Sequence, residues 1–411
     1  MSHWGIHHRR TEGIEAMSRA RGNPKSVLRI VIGLVVAVVL ALLGINTDLL
    51  GPGAGSDPTG TAPVNAARGL QCGAFDFPRC AGSDEQFDAA FPAAPSGQGF
   101  GGGRCPVGRT PIVFVHGNAD RSVNWDSDIT GPVGDNPEPA RSVYDEFRSA
   151  GYNGCELFGI TFLSPQEQRD PQLNYHKPEK YRLVLDFIAQ VKTFTGAPQV
   201  DVVAHSLGVS MTLAALTWQD ETGAGAGGGW ADVRRFVNIA GGLRGLSACR
   251  GVGFANPLVT TCGSQSLLDP YVFGFYQDGN PWTAADGEHS LRTMPARHPD
   301  VEFYTVHAGA HDQVHCGRAA DPVADCRQGA LFTAGPNVKA QLDVGAGSTG
   351  QQVELDMADG SLFTVRGGDV DGVGHFKARN NTGAIAVQML TTDCTALDCR
   401  GGYTGGPVTA G

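Results

Sequence analysis

Apolar residues fall along this chain in short, strand-like runs separated by stretches of helical spacing. Pro111-Ile-Val-Phe-Val115, Cys155 to Phe162, Val200 to Ala204, Arg235 to Ile239 and Val301 to Val306 predict strands, being short, apolar and rich in β-branched residues. Ala140 to Ala150, Lys180 to Thr195 and Val209 to Trp218 predict the helices between them. Such alternation predicts a mostly parallel sheet covered by helices, an α/β fold. Two glycine-rich stretches, Gly97 to Gly103 and Gly223 to Gly229, predict loops. Residues 241–300 have no strong period but many aromatics, among them Phe254, Tyr271, Phe273 and Trp282, and predict an excursion that walls or lids a site.

A different pattern precedes these elements. Ile30 to Ile45 is an uncharged apolar run, and residues 1–29 carry six Lys/Arg against two Asp/Glu. A basic segment before such a run predicts export, to the outside of the cell or to the outer face of its membrane. The expected organisation is a basic cytoplasmic or n-region segment (1–29), a signal or membrane-anchor helix (30–47), a flexible linker (48–69) and one catalytic domain (70–411). No clean Ala-x-Ala follows, Asn65-Ala-Ala-Arg being the nearest approach, so a retained anchor is preferred to a cleaved signal. Met17 is an alternative start.

All ten cysteines lie beyond the apolar run, at 72, 80, 105, 155, 249, 262, 316, 326, 394 and 399. An even number in an exported chain predicts disulfides, and short separations favour 249 with 262, 316 with 326 and 394 with 399. No cysteine or histidine cluster has zinc spacing, so neither metal nor cofactor is expected. The formal charge of -10 disfavours nucleic acid and suits a neutral or weakly polar substrate. A monomer is expected.

The strongest chemical signal is strand, His205-Ser206-Leu207-Gly208, helix. An acyl-transfer nucleophile must project from a tight strand-to-helix turn, and small residues must flank it. Ala204 and Gly208 meet that demand, Ala standing where Gly-x-Ser-x-Gly has its first glycine. The oxyanion of a tetrahedral intermediate needs preorganised N–H donors. His116-Gly117-Asn118 follows the first strong strand, where an α/β-hydrolase fold places its donor loop, so the backbone N–H groups of Asn118 and Leu207 are assigned to that role. The acid and base should follow the serine in that order. Asp312, six residues after the strand ending at Val306, is the expected acid, with Asp325 a distant second. His375, in the glycine-lined Asp371-Gly-Val-Gly-His-Phe376, is the expected base. His289, His298, His307, His311 and His315 are expected at the surface or in packing.

From about Gly97 to Gly402 the chain resembles the extracellular depolymerases of native, amorphous poly(3-hydroxybutyrate) granules, a lipase-like α/β-hydrolase family. The matching segments include Gly101-Gly-Gly, Val113-Phe-Val-His-Gly-Asn118, Ala140-Arg-Ser-Val-Tyr144, Asn174-Tyr-His176 and Gln199 to Met211. Asn238 to Gly245, Asn280-Pro-Trp-Thr283, Asn337 to Gln341, Gly372 to Phe376 and Asn381 to Ile385 continue in the same order. The resemblance implies a triad at Ser206, Asp312 and His375, and substrate contacts at Tyr175 and in the His116 loop. It implies a polyester substrate. Residues 119–139 and 265–290 depart most from the family pattern, and residues 1–69 match none of it. The alternatives are a lipase or carboxylesterase with the same triad and a non-catalytic surface protein that keeps a hydrolase shell.

Overall fold

A computed structural model of the chain describes residues 85–87, 91, 99–103, 105–118, 120–126, 142–247, 249, 257–263, 266, 268–312, 314–316, 326–345, 354–356, 364–366 and 374–411. The basic segment, the apolar run at 30–47 and the linker at 48–69 lie outside these residues, as do Cys72, Cys80 and Asp325. Among the described residues, no helix is long and apolar enough to cross a membrane.

Nine strands form one sheet. They are β1 (Glu85–Phe87), β2 (Gly99–Gly101), β3 (Ile112–Val115), β4 (Leu157–Ile160), β5 (Val200–His205), β6 (Val233–Ile239), β7 (Glu302–His307), β8 (Val338–Asp343) and β11 (Thr409–Ala410), in the order β1-β2-β4-β3-β5-β6-β7-β8-β11. The six strands from β4 to β8 are mutually parallel, while β2 pairs antiparallel with β4 and β11 with β8. A separate antiparallel pair joins β9 (Glu354–Asp356) to β10 (Thr364–Arg366). The five expected strands are all present, with no end moved by more than two residues. Every residue of β3, β4 and β5 is buried, which accounts for their mostly apolar sequences, Asp201 and His205 of β5 being the exceptions: a parallel strand covered on both faces has little polar side to show.

Helices cover both faces. One hydrophobic core lies under α2 (Pro178–Thr195) and α3 (Leu207–Thr222), the other under α1 (Val143–Ser149) and α5 (Gly383–Thr391). Local chemistry sets the helix ends. Ser142 accepts from the Asp145 N–H to start α1, and Gly196 and Gly223, with φ of 69° and 61°, end α2 and α3 in the left-handed region. The two cores and the mainly parallel sheet define an α/β-hydrolase fold.

The glycine stretch at 97–103 differs from expectation. It contains β2 because Phe100 lies flat over Gly159 of β4, where a Cβ would sit 2.2 Å from the ring. Gly223 to Gly229 is irregular, as expected. Disulfides join 249 to 262, 316 to 326 and 394 to 399, the three favoured pairs, and a fourth joins Cys105 to Cys155.

Candidate active site

Ser206 stands at the turn between β5 and α3 with φ 53° and ψ −122°, a backbone conformation that side-chain-bearing residues avoid. The turn is held from both sides. Its N–H donates to the Ile239 carbonyl at 3.0 Å, anchoring it to β6, while β5 and α3 fix its two arms. Gly208 shows why a small residue is required. A Cβ there would lie 2.3 Å from the carbonyl oxygen of His116 and 2.7 Å from that of Val115, so α3 starts almost in contact with the end of β3. Ala204, wholly buried between Val115 and Asn238 on the neighbouring strands, fits where a larger side chain would part them.

The same close approach seats the loop after β3. A Cβ on Gly117 would lie 3.1 Å from Ser206 Cβ, so His116-Gly117-Asn118 passes directly beside the serine. His116 is fully buried, its ring stacked on Phe162 at 4.4 Å. Its Nε2 accepts from the Phe162 N–H at 3.2 Å and its Nδ1 meets the Gly117 carbonyl at 2.7 Å, so it braces this loop from within the core. Asn118 Nδ2 donates to the Pro171 carbonyl at 3.0 Å, and its Oδ1 accepts from Asn174 Nδ2 at 2.6 Å. Asn174 also donates to the Glu167 carbonyl, and Lys180 pairs with the Glu167 carboxylate. Tyr175 follows Asn174, half-buried beneath Lys177 Nζ, and is thereby one residue from the loop beside Ser206.

Asp312 follows β7 after a single turn, Gly309–His311, and is 1% exposed. His375, expected in a loop, is instead the first residue of helix α4 (His375–Asn381), with Gly374 before it. Its Nδ1 lies 2.9 Å from Asp312 Oδ2 and 3.1 Å from Oδ1. His205 Nε2 meets the His375 carbonyl at 3.0 Å, and the two rings lie 4.8 Å apart, which brings α4 over the residue next to Ser206. Burial alone would raise the Asp312 pKa, but His315 and His375 beside the carboxylate, with the N–H groups that it accepts, hold it well below the usual range. Arg379 of α4 also pairs with Asp120, two residues beyond Asn118, and so ties the helix carrying His375 to the loop beside Ser206.

The described part of the expected excursion packs beside the residues that follow Pro171. The Thr261 N–H donates to the Gln172 carbonyl and Thr260 Oγ1 to the Leu173 carbonyl, so 257–263 borders the segment that Asn118 touches. Within the excursion, Phe273 stacks on His176 at 3.9 Å and on Trp282 at 4.7 Å. Among the other histidines, His298 stacks on Trp230 and His289 on Trp282, both in packing as expected. His315 is different: its Nδ1 lies 3.2 Å from Asp312 Oδ2. The spacing from Asp312 in His311-Asp-Gln-Val-His315 was the available signal, since residues three apart around a turn share one side. Asp312, His315 and His375 present ligand atoms within 4.8 Å of one another, a set that could hold a cation; their direct contacts with Asp312 already account for the spacing.

The buried histidines make stability depend on pH. Burial lowers His116 and His315 to about 4, His176 to about 3, and His205 well below its ordinary value. A histidine kept neutral in the fold refuses protons that the unfolded chain binds below about pH 6.5. Each therefore removes up to about 1.4 kcal/mol of stability per pH unit as pH falls from there towards its folded value. Asp201 acts oppositely. Burial raises it to about 6 despite Arg234, so it adds stability as pH falls through 6 and offsets one histidine. The expected result is a Tm that is highest near pH 7 and falls steeply between pH 6.5 and 4.5. Scanning calorimetry checks this, and a flat Tm across that interval contradicts it.

Residues 109–289 match the family model of class 2 lipases. No curated protein compared with the chain matches it. Among solved structures, the chain is similar to Aspergillus fumigatus lipase B, with 17% identity, TM-score 0.36, and coverage of 75% of this chain and 56% of that one. It is also similar to the Bacillus licheniformis lipase BlEst2 in its propeptide form (16% identity, TM-score 0.33, 51% of this chain and 38% of that one). The Pyrobaculum calidifontis esterase is a third, at 14% identity, TM-score 0.25, and 50% and 59% of the two chains. The chain thus spans about half the length, or less, of the two lipases. The residues matched to the class 2 lipase model span β3 to β6 and include Ser206 and the loop after β3.

Proposed function

We propose that the chain is an extracellular serine hydrolase that cleaves ester bonds of amorphous poly(3-hydroxybutyrate) or related short-chain polyesters. The observation that carries the chemistry is the paired Asp312 and His375, with the His375 carbonyl on His205 Nε2, next to a serine on a strained strand-to-helix turn. Ser206 Oγ attacks the ester carbonyl carbon while His375 Nε2 takes its proton, and Asp312 holds the imidazole with Nδ1–H towards the carboxylate. The oxyanion meets the backbone N–H groups of Asn118 and Leu207, the latter at the N-terminal end of α3, where the helix dipole also favours negative charge. The leaving alcohol receives the proton from His375. Water, deprotonated by the same histidine, then releases the acid and restores Ser206.

The polyester reading rests on the segments from Gly97 to Gly402 that resemble the depolymerases, with Tyr175 as a contact near the mouth. A lipase or carboxylesterase acting on acylglycerols is the second reading, favoured by the class 2 lipase match. The four disulfides suit an oxidising compartment outside the cytoplasm, reached through the segment at 30–47, and the enzyme acts as a monomer. The purified protein is expected to clear native poly(3-hydroxybutyrate) granules and release soluble 3-hydroxy acids. Turnover of tributyrin without release from granules would select the second reading.

A further inference from the structure

Asp312 faces two imidazoles. His375 Nδ1 lies 2.9 Å from its Oδ2, and His315 Nδ1 lies 3.2 Å from the same oxygen. The His315 N–H also donates to Oδ1 at 2.8 Å. His315 is held in place on several sides. Its carbonyl accepts from Ser247 Oγ at 2.8 Å, its ring lies against Gly329, and the next residue is Cys316 of the disulfide to Cys326. The ring is 3% exposed and meets that of His375 edge-on at 5.3 Å. Ester hydrolysis through Ser206 and His375 assigns it no step.

A carboxylate oxygen that faces two Nδ1 groups divides its charge between them. We propose that His315 is a positioning residue whose contact with Asp312 Oδ2 orients the carboxylate and limits its pull on the His375 proton. This rests on the reading of Ser206, Asp312 and His375 as the reacting set. Burial lowers His315 to about 4, so it stays neutral through the working range; its single N–H is assigned to Nδ1, which faces Asp312, and the Ala240 backbone is its other hydrogen-bonding neighbour. Three titratable groups face it: Asp312 itself, His375 on α4, and His307 on β7, which Asp343 of β8 adjoins. All of them stay in place when His315 is replaced. Without His315, the Asp312 charge acts on His375 alone and favours its protonated form. The limb of kcat/KM that rises with pH then moves to higher pH.

The test measures kcat and KM of the purified full-length protein on p-nitrophenyl butyrate from pH 5 to 9. Wild type, His315→Phe and His315→Asn are compared, with His315→Met as a second variant lacking the donor should Phe fail to fold. The acid limb of the donor-free variant is expected about half to one pH unit higher, the effect of one lost hydrogen bond, with KM within about twofold of wild type. The Asn variant, which keeps an N–H donor, is expected to return the limb towards wild type. An unmoved limb, whether or not kcat falls at every pH, overturns the inference and leaves His315 a packing role. Ser206→Ala separates the two readings: turnover by that variant overturns the reacting set itself, whereas its inactivity with an unmoved His315→Phe limb overturns this inference alone.

Discussion

Asp312→Asn is expected to lower kcat for ester hydrolysis on the order of 10⁴-fold, with KM little changed. The carboxylate receives Nδ1 of His375 at 2.9 Å and fixes which imidazole nitrogen carries the proton. An amide of the same shape can turn an NH2 towards Nδ1, and the ring then holds its proton on Nε2, where it must accept one from Ser206. The geometry survives while the tautomer is wrong. The backbone contacts survive, because the N–H groups of Val314 and His315 still find an amide oxygen in place of Oδ1, while the contact of His315 Nδ1 with Oδ2 is lost. Steady-state kinetics at pH 8 with a circular dichroism control measures this. A loss below tenfold in a folded variant would remove Asp312 from the site.

Gly208→Ala is expected to destabilise the fold at the upper end of the ~1–3 kcal/mol typical of overpacking, and to abolish most activity. The added methyl would meet two backbone oxygens at 2.3 and 2.7 Å, and neither belongs to a side chain that can rotate away. Relief requires α3 to move off the end of β3. That movement pulls Ser206 and the Leu207 N–H from the loop at Gly117. Gly402→Ala, where a Cβ would meet nothing within 4 Å, is the matched control and is expected to change stability by less than about 0.5 kcal/mol. Thermal melts of both variants check the contrast, and equal Tm values would contradict the close packing of the turn.

The central sheet was legible because β3 to β7 are almost entirely buried and so carry mostly apolar runs, interrupted in β5 to β7 by a few polar residues such as Asp201, Arg235 and Thr305. β8 was not expected, although Val338-Lys-Ala-Gln-Leu-Asp343 alternates in the manner of a half-covered strand near an edge. The glycines of β2 signal a loop, whereas here Gly101 makes room for Phe158 of β4 and Gly159 of β4 makes room for Phe100. Three disulfides close short loops, the pairs that sequence separation favours. Cys105 with Cys155, 50 residues apart, depends on β3 and β4 lying side by side.

The site followed the same division. Ser206 and its small neighbours are a local motif, and Asp312 and His375 follow from chain order. What the sequence could not display is how three separate segments brace the turn. The Asn174 contact to Asn118, the Arg379 pair with Asp120 and the approach of His315 to Asp312 each join residues whose meeting depends on loop curvature. His375 looked like a loop residue because α4 is short and begins directly after Gly374.

The central claim is that Ser206 forms the acyl-enzyme, and covalent capture tests it most directly. Incubation with a fluorophosphonate, followed by digestion and mass spectrometry, is expected to place one adduct on the peptide that carries Ser206, with none in Ser206→Ala. An adduct on another serine, or full ester turnover with Ser206 unlabelled, would contradict the account.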